Sequence, residues 1–208
     1  MGRSSSSARR RVDGPLPAQL SMQSSRHDVT IETERLILRG FEIGDFDDYH
    51  ALSSDPETFL YSERGPLSSD ETWSRMLRHV GHWALMKYGL LAIEEKKSGR
   101  FVGEAGLGDF RRRLRPDFDS APEASWTVAS WARGQGYATE AARAAIGWLE
   151  QQCAVERTVC LVHRDNARSL SVARKLGYIV YDELIYRGYP ALLHQRTASL
   201  ASAPGQEP

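Results

Sequence analysis

The chain has no net charge: 27 Lys and Arg balance 27 Asp and Glu. A global basic field of the kind that holds nucleic acid is therefore missing, and nucleic acid is not expected as a partner. No apolar run approaches the ~18 residues of a membrane-spanning helix, so no membrane partner is expected either. Cysteine occurs only twice, at Cys153 and Cys160, with no motif joining the two. They read as reduced thiols of a cytoplasmic protein, with Cys160 packed in a strand. His79, His82 and His163 have no partners at metal-ligand spacing, so no metal is expected.

What remains is an ordinary globular composition, 41% hydrophobic and 26% charged in 208 residues. A single domain is expected over residues 28–198; at that size roughly 70% of the unfolded surface is buried, and no staples are needed. Residues 1–27 are rich in Ser, Arg and Pro and read as a disordered tail. No apolar segment follows Arg9, Arg10 and Arg11, so a secretory signal is not expected. MGRSSS fits the loose pattern for myristoylation, but a plain tail suits the composition better. Met22 is an alternative start, because ordered patterning begins only at Val29. Residues 199–208 read as a second frayed tail.

Between the tails, apolar periodicity predicts a strand in ERLILRGF, then a helix from GDFDDYHALSSD with Asp45 as cap. A second helix covers LSSDETWSRMLRHVGHWAL. Ser68 and Glu71 fit a capping box there, and Trp73, Met76, Leu77 and Val80 fall on one face. LLAIEEK and RFVGEAGLGDF, separated by KKSG, read as a hairpin. RRRLRPDFDSAPE reads as a polar loop and ASWTVAS as a strand. A helix then runs to about Gln152, followed by the strand RTVCLVHR. NARSLSVARKLGY is a helix capped by Asn166, and Gly177 with Tyr178 gives a Schellman-like stop. Two strands around RGYP complete the order. This is an α/β (α+β) domain around one mixed, mostly antiparallel sheet of about seven strands.

WARGQGYATEAARAAIGWLE is the segment that asks for more than a fold. Ala138, Ala141, Ala142, Ala145, Ile146 and Leu149 give one apolar helix face. A core helix entered through a turn accounts for that face, but not for Gly134 and Gly136 together. Glycines let a ligand approach the backbone, and a helix's first turn offers unpaired N–H groups and the positive dipole end. Together they suit an anion, usually phosphate. A P-loop is excluded, because Tyr137 and Ala138 follow Gly136 where Lys and Ser/Thr are required. A dinucleotide fingerprint is broken by Thr139 at its third glycine. The pattern Arg/Gln-x-x-Gly-x-Gly/Ala is met by Arg133, Gly136 and Ala138.

TERLILR, FVGEAGL, the strand before RGQGYATEA, and NARSLSVARKLGY stand in an order and spacing that resembles the GNAT N-acetyltransferases. The closer likeness is to the branch of ribosomal-protein N-terminal and spermidine acetyltransferases, and it covers roughly Val29 to Thr197. The resemblance implies a GNAT-like fold and acetyl-coenzyme A as co-substrate. The pyrophosphate would sit on the amides of Arg133, Gly134, Gln135, Gly136, Tyr137 and Ala138, with Thr139 nearby. The pantetheine arm would run along Thr127 and Val128, where the family splays two strands. An amide near Val128 would polarise the thioester carbonyl, and Asn166 would bond the pantetheine.

Ser169 matches the family's Asn-x-x-Ser and is the candidate to protonate the leaving sulfur; a serine there is also commonly a cap. The tyrosine many members carry four residues further on is replaced by Ala173. Glu104 and Glu123 are candidate bases expected to face the tunnel, and each reads equally as a solvated strand-end charge. Neutralising a lysine-like amine at pH 7 costs about 4.6 kcal/mol and an α-amine about 1, so a site with no obvious strong base suits an α-amine. Arg111, Arg112, Arg113 and Arg115 read as a solvated basic loop, or as contacts for an acidic group. The expected partner is an amine: a protein N-terminus, a polyamine or a small amine. The protein is expected as a monomer or homodimer. A catalytically silent acyl-coenzyme A sensor is the alternative.

Overall fold

Leu36 and Leu38 alternate with half-exposed neighbours and are fully buried, which makes their segment a one-sided strand. The same reading along a computed structural model, which describes residues 29–61 and 65–198, gives eight strands. They are β1 (Ile31–Glu32), β2 (Leu36–Arg39), β3 (Leu90–Glu95), β4 (Phe101–Gly108), β5 (Glu123–Val128), β6 (Arg157–His163), β7 (Ile179–Tyr186) and β8 (Tyr189–Thr197). Their order in the one sheet is β1-β2-β3-β4-β5-β6-β8-β7. Neighbours are antiparallel except β5 and β6. The eighth strand, β1, has two residues and pairs with β2 across a turn at residues 33–35, too short for any periodicity to show. Both expected tails lie outside the described residues.

The helices are α1 (Phe46–Ser54), α2 (Ser69–Met86), α3 (Pro116–Asp119), α4 (Tyr137–Gln152) and α5 (Ala167–Lys175). β3 is buried on both sides: Leu91 and Ile93 pack with the α4 face, whereas Ala92 packs with Tyr49, Leu52 and Met76 of α1 and α2. Several local expectations hold. Ser68 and Glu71 form the capping box of α2. The helix α5 ends with Tyr178 N–H donating to Ala173 O (3.0 Å) and Gly177 N–H to Arg174 O (3.1 Å), a Schellman stop. Cys160 is buried in β6.

Other expectations are corrected. Asp45 precedes α1 without a side-chain cap bond, because Arg39 holds its carboxylate at 2.8 Å through both oxygens. The buried face of α2 is Thr72, Met76, His79 and Trp83, leaving Trp73 and Leu77 exposed. The expected polar loop contains α3, which Phe118 anchors by burying its ring.

A buried polar cluster pins α1 and α2 to β4. The Tyr49 hydroxyl donates to Glu104 Oε2 (2.8 Å), His79 Nε2 lies 3.0 Å from the same oxygen, and Arg75 pairs with Oε1. Burial by itself would raise the Glu104 carboxyl; Arg75, His79 and Tyr49 outweigh it and hold it well below the ordinary carboxylate range. Burial pushes His79 down against the pull of Glu104, which favours the neutral ring.

Two outcomes are expected. Gly103 faces Val128 across β4 and β5, and a Cβ there would lie 2.1 Å from Thr127 O. Gly103→Ala should therefore cost about 2–3 kcal/mol through overpacking, read as a lower denaturant midpoint. The second concerns acid. The folded protein keeps Glu104 ionised where the unfolded chain protonates it, so its contribution is complete above the ordinary value of 4.5 and fades as pH falls below that. Glu104→Gln should lose about 3 kcal/mol at neutral pH, by stranding Arg75. It should also flatten the decline of stability between about pH 5 and 3. A variant whose acid limb parallels the parent's would refute the linkage.

Candidate functional site

Sheet hydrogen bonding fails at one place. Within the described residues β5 and β6 are paired at Glu123 and Val159, and Val159 N–H donates to Pro122 O (3.0 Å); past that point the strands separate. Ala129 N–H donates to Val102 O at 2.8 Å. Antiparallel alternation then turns the Val128 amide away from β4, into the opening between β5 and β6. A cleft of about 690 Å³ occupies that opening.

Its floor is the glycine turn. Gly134 and Gly136 adopt φ of 77° and 84°, in the left-handed region, and Gly136 is the N-terminal cap of α4. The first bond into the helix runs from Glu140 N–H to Gly136 O (3.0 Å). The amides from Gly134 to Thr139 find no acceptor among the described residues. A carboxylate in this first turn would normally oppose an anion. Glu140, however, is occupied by Arg35 Nε (2.7 Å), the Arg35 amide (3.1 Å) and the Thr33 hydroxyl (2.6 Å), which also tie α4 to the start of β2. The Arg133 side chain turns to Asp55 (3.0 Å), Thr58 (3.1 Å) and Glu57, bracing the segment after α1 over the cleft.

The structure brings together most of the expected cofactor residues. Thr127, Val128, Arg133, Gly134, Gly136, Tyr137, Ala138, Thr139 and Asn166 all line the cleft, as does Ser169. Gln135 does not: its side-chain Nε2 donates to Trp131 O (2.8 Å) and its backbone carbonyl accepts from Arg35 Nη1 (3.0 Å). Tyr137 turns its ring into the core. Asn166 Oδ1 accepts from Ser169 N–H (3.1 Å) and caps α5, so the cap is Asn166 and the Ser169 hydroxyl has no partner among the described residues. Ala173 is fully buried.

A second cavity, of about 550 Å³, adjoins the first; Tyr61 lines both. Glu104 and Glu123 line neither, which corrects the expectation that they face the tunnel. Each sits behind an arginine of the cavity wall. Arg75 covers Glu104, and Arg112 Nε contacts Glu123 Oε2 at 2.6 Å while its Nη1 donates to the Tyr186 hydroxyl (3.1 Å). Burial pushes the Glu123 carboxyl up and Arg112 pulls against it. Arg112 thus leaves the solvated loop in which it was expected, whereas Arg111 stays 83% exposed beside Asp109 (2.8 Å).

Sequence reading missed the wall on α2. Arg75, Arg78, His79 and His82 line the cavity, and their spacing of three, four and seven is one helix face. That stripe was legible. His82 is fully engaged, with Nδ1 2.7 Å from Tyr88 O and Nε2 accepting from Asp109 N–H (2.9 Å). His163 lines the cavity with its ring between Tyr61 (5.1 Å) and Tyr189 (5.5 Å). Its Nδ1 accepts from Asp165 N–H (3.0 Å), which places the hydrogen of the neutral ring on Nε2.

The family model described as the acetyltransferase (GNAT) domain matches residues 35–179. Among solved structures, a protein of Bordetella pertussis assigned to the GNAT-family acetyltransferases is 32% identical, with TM-score 0.72, covering 81% of this chain and 99% of that one. Spermidine N-acetyltransferase of Vibrio cholerae, solved with CoA and spermine, is 17% identical at TM-score 0.64, over 79% of this chain and 96% of that one. Ribosomal-protein-S5-alanine acetyltransferase of Vibrio fischeri is 19% identical at TM-score 0.60, over 82% and 97%. These last two attest the fold, and they come from the branch the sequence resembled. With a family match over most of its length, the chain is an acyltransferase and belongs to the GNAT acetyltransferases.

Proposed function

We propose that the protein transfers an acetyl group from acetyl-coenzyme A to a primary amine by direct attack in a ternary complex. The observation that carries this reading is the run of acceptor-free amides from Gly134 to Thr139 in a cleft that adjoins a second cavity. Those amides and the α4 dipole suit the diphosphate. Thr127 and Val128 would guide the pantetheine along β5, and Asn166, whose Nδ2 is left over from capping, would bond it. CoA bound to the Vibrio cholerae relative supports the same choice of cofactor.

The thioester then lies at the junction marked by Tyr61. The amine nitrogen bonds the acetyl carbon, the carbon–sulfur bond breaks, and the Val128 amide stabilises the oxyanion. Such a preorganised donor contributes about 2.7–4 kcal/mol. The Ser169 hydroxyl donates to the departing sulfur. Glu104 and Glu123 reach the acceptor cavity only through Arg75 and Arg112; in this reading they hold those arginines in place, and the amine loses its proton to water.

Calorimetric titration of the full chain with acetyl-coenzyme A should give saturable binding. Gly136→Val should weaken it at least about tenfold, with the unliganded melting curve checking that the variant folds. Unchanged affinity in a folded variant would sink the diphosphate assignment. Ser169→Ala should lower kcat about a hundredfold while acetyl-coenzyme A still binds. Near-parent turnover would remove Ser169 from the chemistry.

A further inference from the structure

The transfer reading leaves one polar ring on the acceptor side without a task. Beyond Val159, β6 has left β5, and its next residues of the same face, Leu161 and His163, line the second cavity. The His163 ring stands between Tyr61 and Tyr189, whose centroids lie 5.1 and 5.5 Å away, so packing holds its plane. Tyr61 lines both cavities, which puts the histidine beside their junction. Just downstream, Asn166 lines the cofactor cleft.

The two nitrogens of this ring differ. Nδ1 accepts from the Asp165 amide at 3.0 Å, which requires a lone pair there. Nε2 has no hydrogen-bond partner among the described residues. It is not sealed in, since the buried side-chain polar atoms without a partner there are Arg75 Nε and the Tyr181 hydroxyl. A neutral imidazole that accepts through Nδ1 carries its hydrogen on Nε2. Its one lone pair is taken by the Asp165 amide, and what remains for a ligand is a donor. The ionisable groups set against the ring are Tyr61, Tyr189 and Asp165, whose 70% exposed carboxylate is 4.0 Å from Nδ1.

We propose, resting on the acetyl-transfer reading, that His163 binds the acceptor as a neutral hydrogen-bond donor through Nε2–H, and that the acceptor is an amine with an uncharged oxygen beside its amino group. To act as the base instead, the ring would have to take a proton on Nδ1 and give up the Asp165 bond. A donor held in a fixed direction serves orientation: an oxygen bound there leaves the neighbouring nitrogen aimed at the junction. An ammonium or an alkyl chain offers this donor no acceptor atom, so an acceptor of that kind leaves it unpaired, which is unfavourable once water is displaced.

The test uses the full chain, acetyl-coenzyme A and release of free thiol. Alaninamide and isopropylamine are the paired acceptors, differing by the carboxamide that bears the oxygen, and spermidine is the third. Alaninamide should have the highest kcat/KM. The readout is the ratio of alaninamide to isopropylamine across variants, which cancels their difference in basicity. His163→Phe keeps a flat ring between the tyrosines and removes the donor. His163→Asn keeps an oxygen for the Asp165 amide, as in an Asx turn, and withdraws the donor from the cavity. Each should lower the ratio about five- to tenfold, with acetyl-coenzyme A titration confirming a folded cofactor cleft. A ratio kept by His163→Phe would reduce the residue to packing, and one kept by His163→Asn to a turn; either overturns the proposal. The pH profile of kcat/KM should run parallel in His163→Phe and the parent, and a limb found only in the parent would make His163 a base and overturn it too. Preference for isopropylamine or spermidine likewise overturns it and leaves acetyl transfer standing. Acetyl-coenzyme A binding without thiol release from any acceptor, or no binding at all, overturns both.

Discussion

β5 and β6 are joined at Glu123 and Val159 and then part. A sheet that continued would satisfy the Val128 amide within the fold. Parting leaves backbone donors facing a cleft, which a buried sheet rarely tolerates. The surroundings make the opening sustainable. β6 recovers its pairing from β8 along its full length, and β5 recovers its pairing from β4, so each strand is anchored on one side. The helix α4 follows directly from the end of β5, and its first turn reaches the same opening. One local failure of pairing thus brings an unpaired strand amide and an unpaired helix terminus into one cleft. Neither would have reason to exist in a closed sheet.

Around that opening, charge is arranged in layers. The buried carboxylates Glu104 and Glu123 take Arg75 and Arg112 as partners, and those two arginines line the second cavity. Glu140, partly buried, pairs with Arg35 beside the glycine turn. Buried ion pairs are poor sources of stability, because desolvation offsets their attraction. Their value here is positional. A guanidinium tied to a buried carboxylate cannot follow solvent, so its remaining donors keep a fixed direction. Neutralising Glu140 by Arg35 has a further effect: the α4 dipole stays favourable to an anion although a carboxylate stands in its first turn.

How much of this was legible depends on distance along the chain. The capping box at Ser68, the hairpin around KKSG and the stop at Gly177 are local, and residue type at fixed offsets reveals them. The helix α2 was misjudged because its inward face is partly polar. Thr72 and His79 are buried by hydrogen bonds to partners on other elements, and these displace Trp73 and Leu77 outward. Likewise Arg75 meets a glutamate 29 residues away. No periodicity encodes such a pairing, so Glu104 read as a base candidate when its environment makes it a counter-ion. For the cofactor turn the opposite holds. Nine of the ten expected residues line one cleft because they lie on two short segments and one helix cap, where sequence order nearly fixes position.

The glycines show where even local reading stops. Gly103 and Gly106 in FVGEAGLG look no different from Gly134 and Gly136 in RGQGYAT. Added Cβ atoms at Gly103 and Gly106 would strike Thr127 O and Gly89 O at 2.1 and 2.2 Å. Those glycines serve close packing of β4 with the strands on either side. At Gly134 an added Cβ meets nothing within 4 Å, and at Gly136 only an Arg35 nitrogen at 3.5 Å, yet both need positive φ. Space above a left-handed turn is no demand of the core, since a core would have filled it. The strand glycines are thus set by what they must fit between, whereas the turn glycines are set by backbone conformation and leave the space above them open. Residue type is common to both pairs; only the surroundings of the absent side chain separate a glycine required by packing from one required by a left-handed turn.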